Sequence, residues 1–327
     1  MLLLIAITAL ALVFDFTNGF HDTANAIATS VSTRALSPRV AVLMAAGLNL
    51  LGAFLYTGVA HTVGEGLVDT DLVTLPLVLA ALVGAVAWNL ITWYFGIPSS
   101  SSHALFGGLI GAMITKAGID GVLWGGVIEK VIFPMVGSPV IGLVCGWFLM
   151  TGLTWLVHKW PPAPVNRWFR TLQPLSAGFM ALSHGGNDAQ KTMGIITLAL
   201  FASNEIDRFV VPFWVKLACA LAMAAGTYSG GWRIIHTLGS RVIKLDPIHG
   251  FAAETSAATV IQIATHFGIP VSTTHTITAA IMGVGSTQRL SAVRWGVAGN
   301  IVGAWVLTLP AAGAVGALSY FLISLFL

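Results

Sequence analysis

Apolar residues run in long blocks along nearly the whole chain, at 40–60, 75–95 and 297–309 among others. Each block approaches the roughly 20 residues that cross a hydrocarbon core as a helix. Polar residues gather into short islands between and within these blocks. The most conspicuous is GIPSSSSHALFGGLIGA at 96–112, where four consecutive serines and a histidine interrupt an apolar stretch. Composition agrees with the pattern: 56% of the 327 residues are hydrophobic and 8% are charged. A soluble domain carries about a quarter charged residues, so this chain has too few to cover a wetted surface. The pattern predicts an all-α polytopic membrane protein. The N-terminal apolar run lacks a basic leading segment and a small-residue cleavage site, and it runs into Asp15. It therefore reads as a span rather than a cleaved leader. Cys145 and Cys219 lie inside apolar spans and carry no redox information. The net charge of +3 is no nucleic-acid signal.

The islands repeat. GIPVSTTHTITAAIMGVG at 268–285 returns the Gly-Ile-Pro, the hydroxyl cluster and the histidine of 96–112. Trp124, Gly125, Pro139 and Gly142 recur as Trp295, Gly296, Pro310 and Gly313, and NGFHDTANA (18–26) faces HGGNDAQKT (184–192). Three islands in one order at a nearly constant offset predict two related halves, 1–157 and 174–327, joined by a basic, proline-rich linker at 158–173. Basic residues concentrate at Arg34 and Arg39, in the linker, at Arg233, Arg241 and Lys244, and at Arg289 and Arg294, whereas Glu65, Asp69 and Asp71 form an acidic turn. The positive-inside rule places the basic groups in the cytoplasm, and one path then fits. A broken first helix runs inward, a second returns, the serine segment goes in and back as a hairpin, and a long broken segment reaches the linker. The second half repeats this from the opposite side. The expected architecture is thus two inverted-topology repeats with broken helices and two re-entrant helical hairpins, the sequence pointer to a secondary transporter with a midplane site.

Each hydroxyl block reads as a helix start, with Pro98 and Pro270 near the first turn, where a missing N–H is harmless. Ser100, Ser101 and Ser102, and Ser272, Thr273 and Thr274, bring hydroxyls and free backbone N–H groups to one point, with the helix dipole adding partial positive charge. Two such ends meeting from opposite sides predict a site for an anion rich in acceptor oxygens. The competing reading is that the hydroxyls only cap their helices. Asp22, Asn25 and Thr29 share a helical face, and Asp188 with Lys191 or Thr192 repeats the arrangement. Carboxylates inside spans are costly and mark functional sites. Two of them beside an anion repel it unless cations intervene, which predicts coupling to Na+ or H+ at Asp22, Asn25 and Asp188. Asn18, Asn187 and carbonyls freed at Gly19, Gly185 and Gly186 supply further hard-oxygen ligands. A plain buried ion pair is the other reading of Asp188 and Lys191.

Glu254 lies on an arm of the second hairpin and either binds a coupling ion or pins the arm. His103 and His275 read equally as proton relays or as donors to backbone carbonyls. His21 and His184 flank the aspartates without the close ligand spacing of a zinc site. An intramembrane serine hydrolase is a rival from another class, since Ser, His and Asp are all present. That chemistry needs one asymmetric triad, whereas both halves here carry the same set, and no Gly-x-Ser-x-Gly elbow occurs.

The residues GFHDTAN (19–25) and GGNDAQK (185–191) resemble the paired signature, roughly Gly-(Ala/Gly)-Asn-Asp-x-x-Asn, of the inorganic phosphate transporter (PiT) family. GIPSSSSH and GIPVSTTH are similar to that family's two hairpin tips, and the resemblance covers essentially the whole chain. It implies symport of phosphate with sodium or protons at a site built from both signatures and both tips. It also implies a homodimer in the cell membrane, with no organic cofactor. Two positions depart from the signature: His21 replaces its first Asn, and Lys191 the final Asn of the second copy. With Asp22 and Asp188 ionised and Lys191 protonated, the bare site carries −1 where an Asn-bearing relative carries −2, so one fewer coupling cation is expected. Sulfate, equally tetrahedral, is the alternative cargo. Phosphate also donates hydrogen bonds that Asp22 or Asp188 can accept, which favours phosphate.

Overall fold

The computed structural model describes residues 1–326. It is helical throughout, with one isolated β-bridge between Val68 and Val122 and no strand among the described residues. In chain order the helices are α1 (Leu2–Ser32), α2 (Pro38–Gly52), α3 (Gly58–Glu65), α4 (Leu75–Phe95), α5 (Ser101–Ala117), α6 (Trp124–Val127) and α7 (Phe133–Val157). Then follow α8 (Pro162–Ala202), α9 (Phe213–Ser229), α10 (Trp232–His236), α11 (Pro247–His266), α12 (Thr273–Ser286) and α13 (Trp295–Ser324). Among the described residues, four stretches are long and apolar enough to cross a membrane: Leu2–Ser32, Leu75–Phe95, Trp124–Val157 and Trp295–Ser324.

Packing in such an environment relies on close backbone approach rather than on a hydrophobic drive between helices. The buried stripe of α7 is Ser138, Gly142, Gly146 and Met150, at four-residue spacing. A Cβ on Gly142 would meet Thr276 O at 2.7 Å and one on Gly146 would meet Ala280 O at 2.6 Å, so this stripe seats α12. The remainder of α7 presents apolar side chains such as Phe133, Val140 and Phe148 outward. α13 mirrors this by packing on α5, while α1 packs on α9 and α8 on α2. Each half thus leans on elements of the other.

The expected breaks in the first helices are not there. α1 runs unbroken through Gly19, and α8 runs unbroken through Gly185 and Gly186. Glycine within a helix costs only about 1 kcal/mol, and here it serves contact: a Cβ on Gly19 would lie 3.0 Å from Thr227 N of α9, and one on Gly185 would strike the Asn49 backbone of α2. No carbonyls are freed at these positions. π-helical turns occur elsewhere, at Ile128–Ile132 between α6 and α7, within the long segment that reaches the linker, and at Thr237–Arg241 after α10. The basic linker is also not a loop throughout, because α8 begins at Pro162, its first turn tolerating proline.

Both hydroxyl blocks form the tips of helical hairpins. α4 ends at Gly96 and α11 is followed by Gly268, with φ of 66° and 67°, the left-handed conformation that glycine adopts without a Cβ penalty. Pro98 and Pro270 lie in the short non-helical segments that follow, just ahead of the first helical turn, and Ser99 N–H donates to Ile97 O at 2.9 Å across Pro98. Helices α5 and α12 begin only at Ser101 and Thr273. Ser100 and Ser272 are the N-caps, accepting from the backbone N–H of His103 and His275 at 3.2 Å.

Two apolar clusters divide the interior. α1 leaves the first at Phe14 and joins the second at Ala24, whereas α8 leaves the second at Ala181 and joins the first at Ala189. Between them both helices carry their polar residues, so a polar layer is sandwiched within the apolar interior.

Candidate functional site

The polar layer gathers side chains from α1, α8 and both hairpin tips. Asp22 is 2% exposed and Asp188 fully buried. Ser101 of the first tip donates to Asp22 Oδ2 at 2.9 Å and lies 2.7 Å from Asn18 Oδ1. Thr274 of the second tip donates to Asp22 Oδ1 at 3.3 Å, and Thr273 donates to Asp188 Oδ2 at 3.0 Å. Asn25 donates to Thr273 and Thr274 Oγ1 at 3.2 and 2.9 Å. One carboxylate, Asp22, therefore receives hydroxyls from both tips.

Lys191 is lodged in the same place. Its ammonium donates to Asp188 Oδ1, to Ser102 Oγ of the first tip at 2.5 Å and to Val271 O of the second at 2.8 Å. All three of its N–H bonds are thus committed. The pair is more than a plain ion pair, because the cation also ties the two tips together.

The histidines act behind the carboxylates. His21 Nδ1 sits 2.6 Å from Asp22 Oδ1, while its Nε2 lies 3.1 Å from Thr92 Oγ1 on α4. His184 Nε2 lies 3.2 Å from Asp188 Oδ2 and its Nδ1 lies 3.0 Å from Asn49 Oδ1. Asp22, His184 and Asp188 each offer a ligand atom, all within 4.8 Å of one another. Asn25 Oδ1 and Asn187 Oδ1 are buried carbonyl oxygens without a donor, which suits a small hard cation held between the two signatures. Asn187 is anchored through its Nδ2 to Thr265 Oγ1 at 2.8 Å.

Other residues singled out in the sequence sit elsewhere. Glu254 lies toward the second apolar cluster. Its carboxylate accepts from Thr29, from Ser30 at 2.6 Å, from Gln173 at 3.3 Å and from Ser176 at 2.5 Å. Four donors from α1 and α8 hold it, an arrangement that pins α11, and Thr29 faces Glu254 rather than the centre. His103 and His275 pack ring to ring with centroids 4.9 Å apart, and His275 stacks on Trp305 at 4.0 Å. Ser99 Oγ lies 3.5 Å from His21 Nε2, whose Nδ1 meets Asp22, but its hydroxyl donates to Thr92 Oγ1 at 2.9 Å and Ser99 is fully buried, so this Ser-His-Asp chain presents no accessible nucleophile.

Sequence reasoning missed Asn49, which donates to Thr227 at 2.9 Å and so fixes α2 to α9 behind His184. It also passed over Asp15 as a functional residue. The rule that flagged the other intramembrane acids applies to it equally.

A profile of the phosphate transporter family matches residues 18–316. The chain is 54% identical over 322 residues to a probable low-affinity inorganic phosphate transporter of Rhizobium meliloti, covering 98% of this chain and 96% of that one. It is 46% identical over 330 residues to a protein of the same description in Bacillus subtilis, covering 99% and 98%. A solved structure described as the sodium-dependent phosphate transporter superposes with a TM-score of 0.91 at 27% identity, over 100% of both chains.

Proposed function

This chain belongs to the phosphate transporter family, and from that premise we propose that it imports inorganic phosphate across the cell membrane by symport with Na+ or H+. Its relatives are named transporters, and the hydrolase reading lacks an accessible nucleophile, since Ser99 beside His21 is fully buried and bonded to Thr92. The observation that carries the proposal is the convergence of both hydroxyl tips on the two signature carboxylates. The hydroxyls of Ser101, Ser102, Thr273 and Thr274 replace the hydration shell of a tetrahedral oxyanion, and the N-termini of α5 and α12 add partial positive charge. Ser100 and Ser272 contribute by capping those termini. Asp22 and Asp188 accept the protons that phosphate carries and sulfate lacks.

The cation is held by Asp22, Asp188 and the donor-free oxygens of Asn25 and Asn187, with Asn18 close by. Lys191 acts as a tethered cation: carboxylate, hydroxyl and carbonyl oxygens surround its ammonium as hard ligands surround sodium. The exchange of packing partners between halves, and the opposite order in which α1 and α8 cross the apolar clusters, support two inverted repeats with re-entrant hairpins around a midplane site. We place the repeats at 1–157 and 174–327. Alternating access then follows from one set of helices rocking against the other. Homodimeric assembly rests on the family resemblance.

Uptake of radiolabelled phosphate into proteoliposomes tests the reading. Excess arsenate is expected to compete and equimolar sulfate is not. Inhibition by sulfate at equal concentration would assign the site to sulfate instead.

A further inference from the structure

Asp15 stands one and a half to two helical turns before Asp22 on α1 and is fully buried. Thr192 of α8 donates to its Oδ1 at 2.9 Å, while its Oδ2 has no partner. An ionised carboxylate within the membrane interior needs donors or a counter-charge. The nearest cation cannot serve, since the three N–H bonds of Lys191 go to Asp188, Ser102 and Val271. The titratable groups that act on Asp15 are Asp188 and Lys191 from α8 and Cys219 from α9. α4, also packed along α1, carries no charged side chain, and on α1 itself the nearest titratable neighbours are His21 and Asp22.

We propose that Asp15 is the binding site of a coupling proton, separate from the phosphate site and linked to it through α8. The proposal rests on the phosphate-symport reading above. A sodium ion does not suit the place. Thr192 Oγ1 is the one oxygen bonded to Asp15, the thiol of Cys219 is a soft neighbour, and the carbonyls of the unbroken α1 are engaged in its own helix. A proton needs only the free Oδ2. On protonation an O–H bond forms there with a proton from external water, and it breaks again toward internal water after the carrier turns over. A crevice lined by Thr8, Leu12, Leu200 and Glu205 reaches, at Leu12, to within one helical turn of Asp15.

The coupling is electrostatic. With Asp15, Asp22 and Asp188 ionised and Lys191 charged, the region carries −2, and protonating Asp15 makes it −1. An incoming phosphate anion then meets less repulsion, so proton and phosphate bind together.

Purified transporter in proteoliposomes, with an external pH electrode and labelled phosphate, tests this. Wild type is expected to show alkalinisation on phosphate addition that persists when choline replaces sodium. Asp15→Asn, a permanent mimic of the protonated acid, is expected to lose at least about tenfold of that signal per phosphate while still exchanging internal for external phosphate. Unchanged alkalinisation per phosphate in Asp15→Asn would overturn the proposal. Wild type that moves no phosphate at all would instead defeat the symport reading. Should Asp15→Asn fail to fold, Thr192→Val decides. Removing the hydrogen bond that favours the ionised form should move the half-maximal pH of uptake upward by about 0.5–1 unit. A profile that stays in place would overturn the assignment.

Discussion

Asp188→Ala is expected to cut phosphate uptake by more than about a hundredfold. The substitution removes the carboxylate from a buried ammonium, and breaking one partner of a buried pair costs about 3–5 kcal/mol. That loss is concentrated where it matters. Lys191 also holds Ser102 and Val271, and Thr273 loses its acceptor at the same time. Both tips therefore lose an anchor to α8 with one change. Asp188→Asn separates shape from charge, because it keeps an acceptor near Thr273 but removes the counter-charge of Lys191. It is expected to fold and insert, yet to transport at a few per cent of wild type or less. Uptake normalised to the amount of monodisperse protein is the measurement. Uptake of Asp188→Ala within threefold of wild type would show that the carboxylate has no central role.

The second large effect is on stoichiometry. Lys191→Asn removes the tethered charge and takes the bare carboxylate pair from −1 to −2, so one additional cation per phosphate is expected. Uptake at low external cation should fall by about tenfold or more, since one lost charge-assisted contact is worth about 1.5–3 kcal/mol, and it should recover as the cation concentration rises. Counting charge and label together in proteoliposomes checks the ratio. An unchanged ratio would return Lys191 to the role of a structural brace between Asp188 and the tips.

The features that proved legible in the sequence are those whose chemistry is local. Four serines inside an apolar stretch, or an aspartate in a span, are expensive wherever they sit, so Ser101, Ser102, Thr273, Thr274, Asp22, Asp188 and Lys191 announced themselves and are found together. What composition could not settle was which neighbour each residue meets. Gly19 and Gly185 read as helix breakers because glycine is a poor helix former. In the folded chain they admit the backbones of α9 and α2, and only the neighbouring helix reveals that use. Pro98 and Pro270 suit either a first helical turn or a non-helical approach to one, and the left-handed glycines before them select the latter. Glu254 carried two readings. Its four donors come from positions on α1 and α8 far from it in the chain, a convergence that no local pattern displays. Asp15 was hidden differently. It ends an apolar run near the N-terminus, where a lone carboxylate reads as the boundary of that run.

The seat of the serine-bearing helix α5 is α13, reinforced where Trp305 donates its indole N–H to Pro98 O at 3.0 Å. Trp305 follows Pro98 by 207 residues in the chain. During synthesis the early serine hairpin must therefore wait in the bilayer with its supporting surface unmade, and its tip can settle only once α13 has been inserted. A chain lacking α13 would lose its grip on a tip encoded some 200 codons upstream.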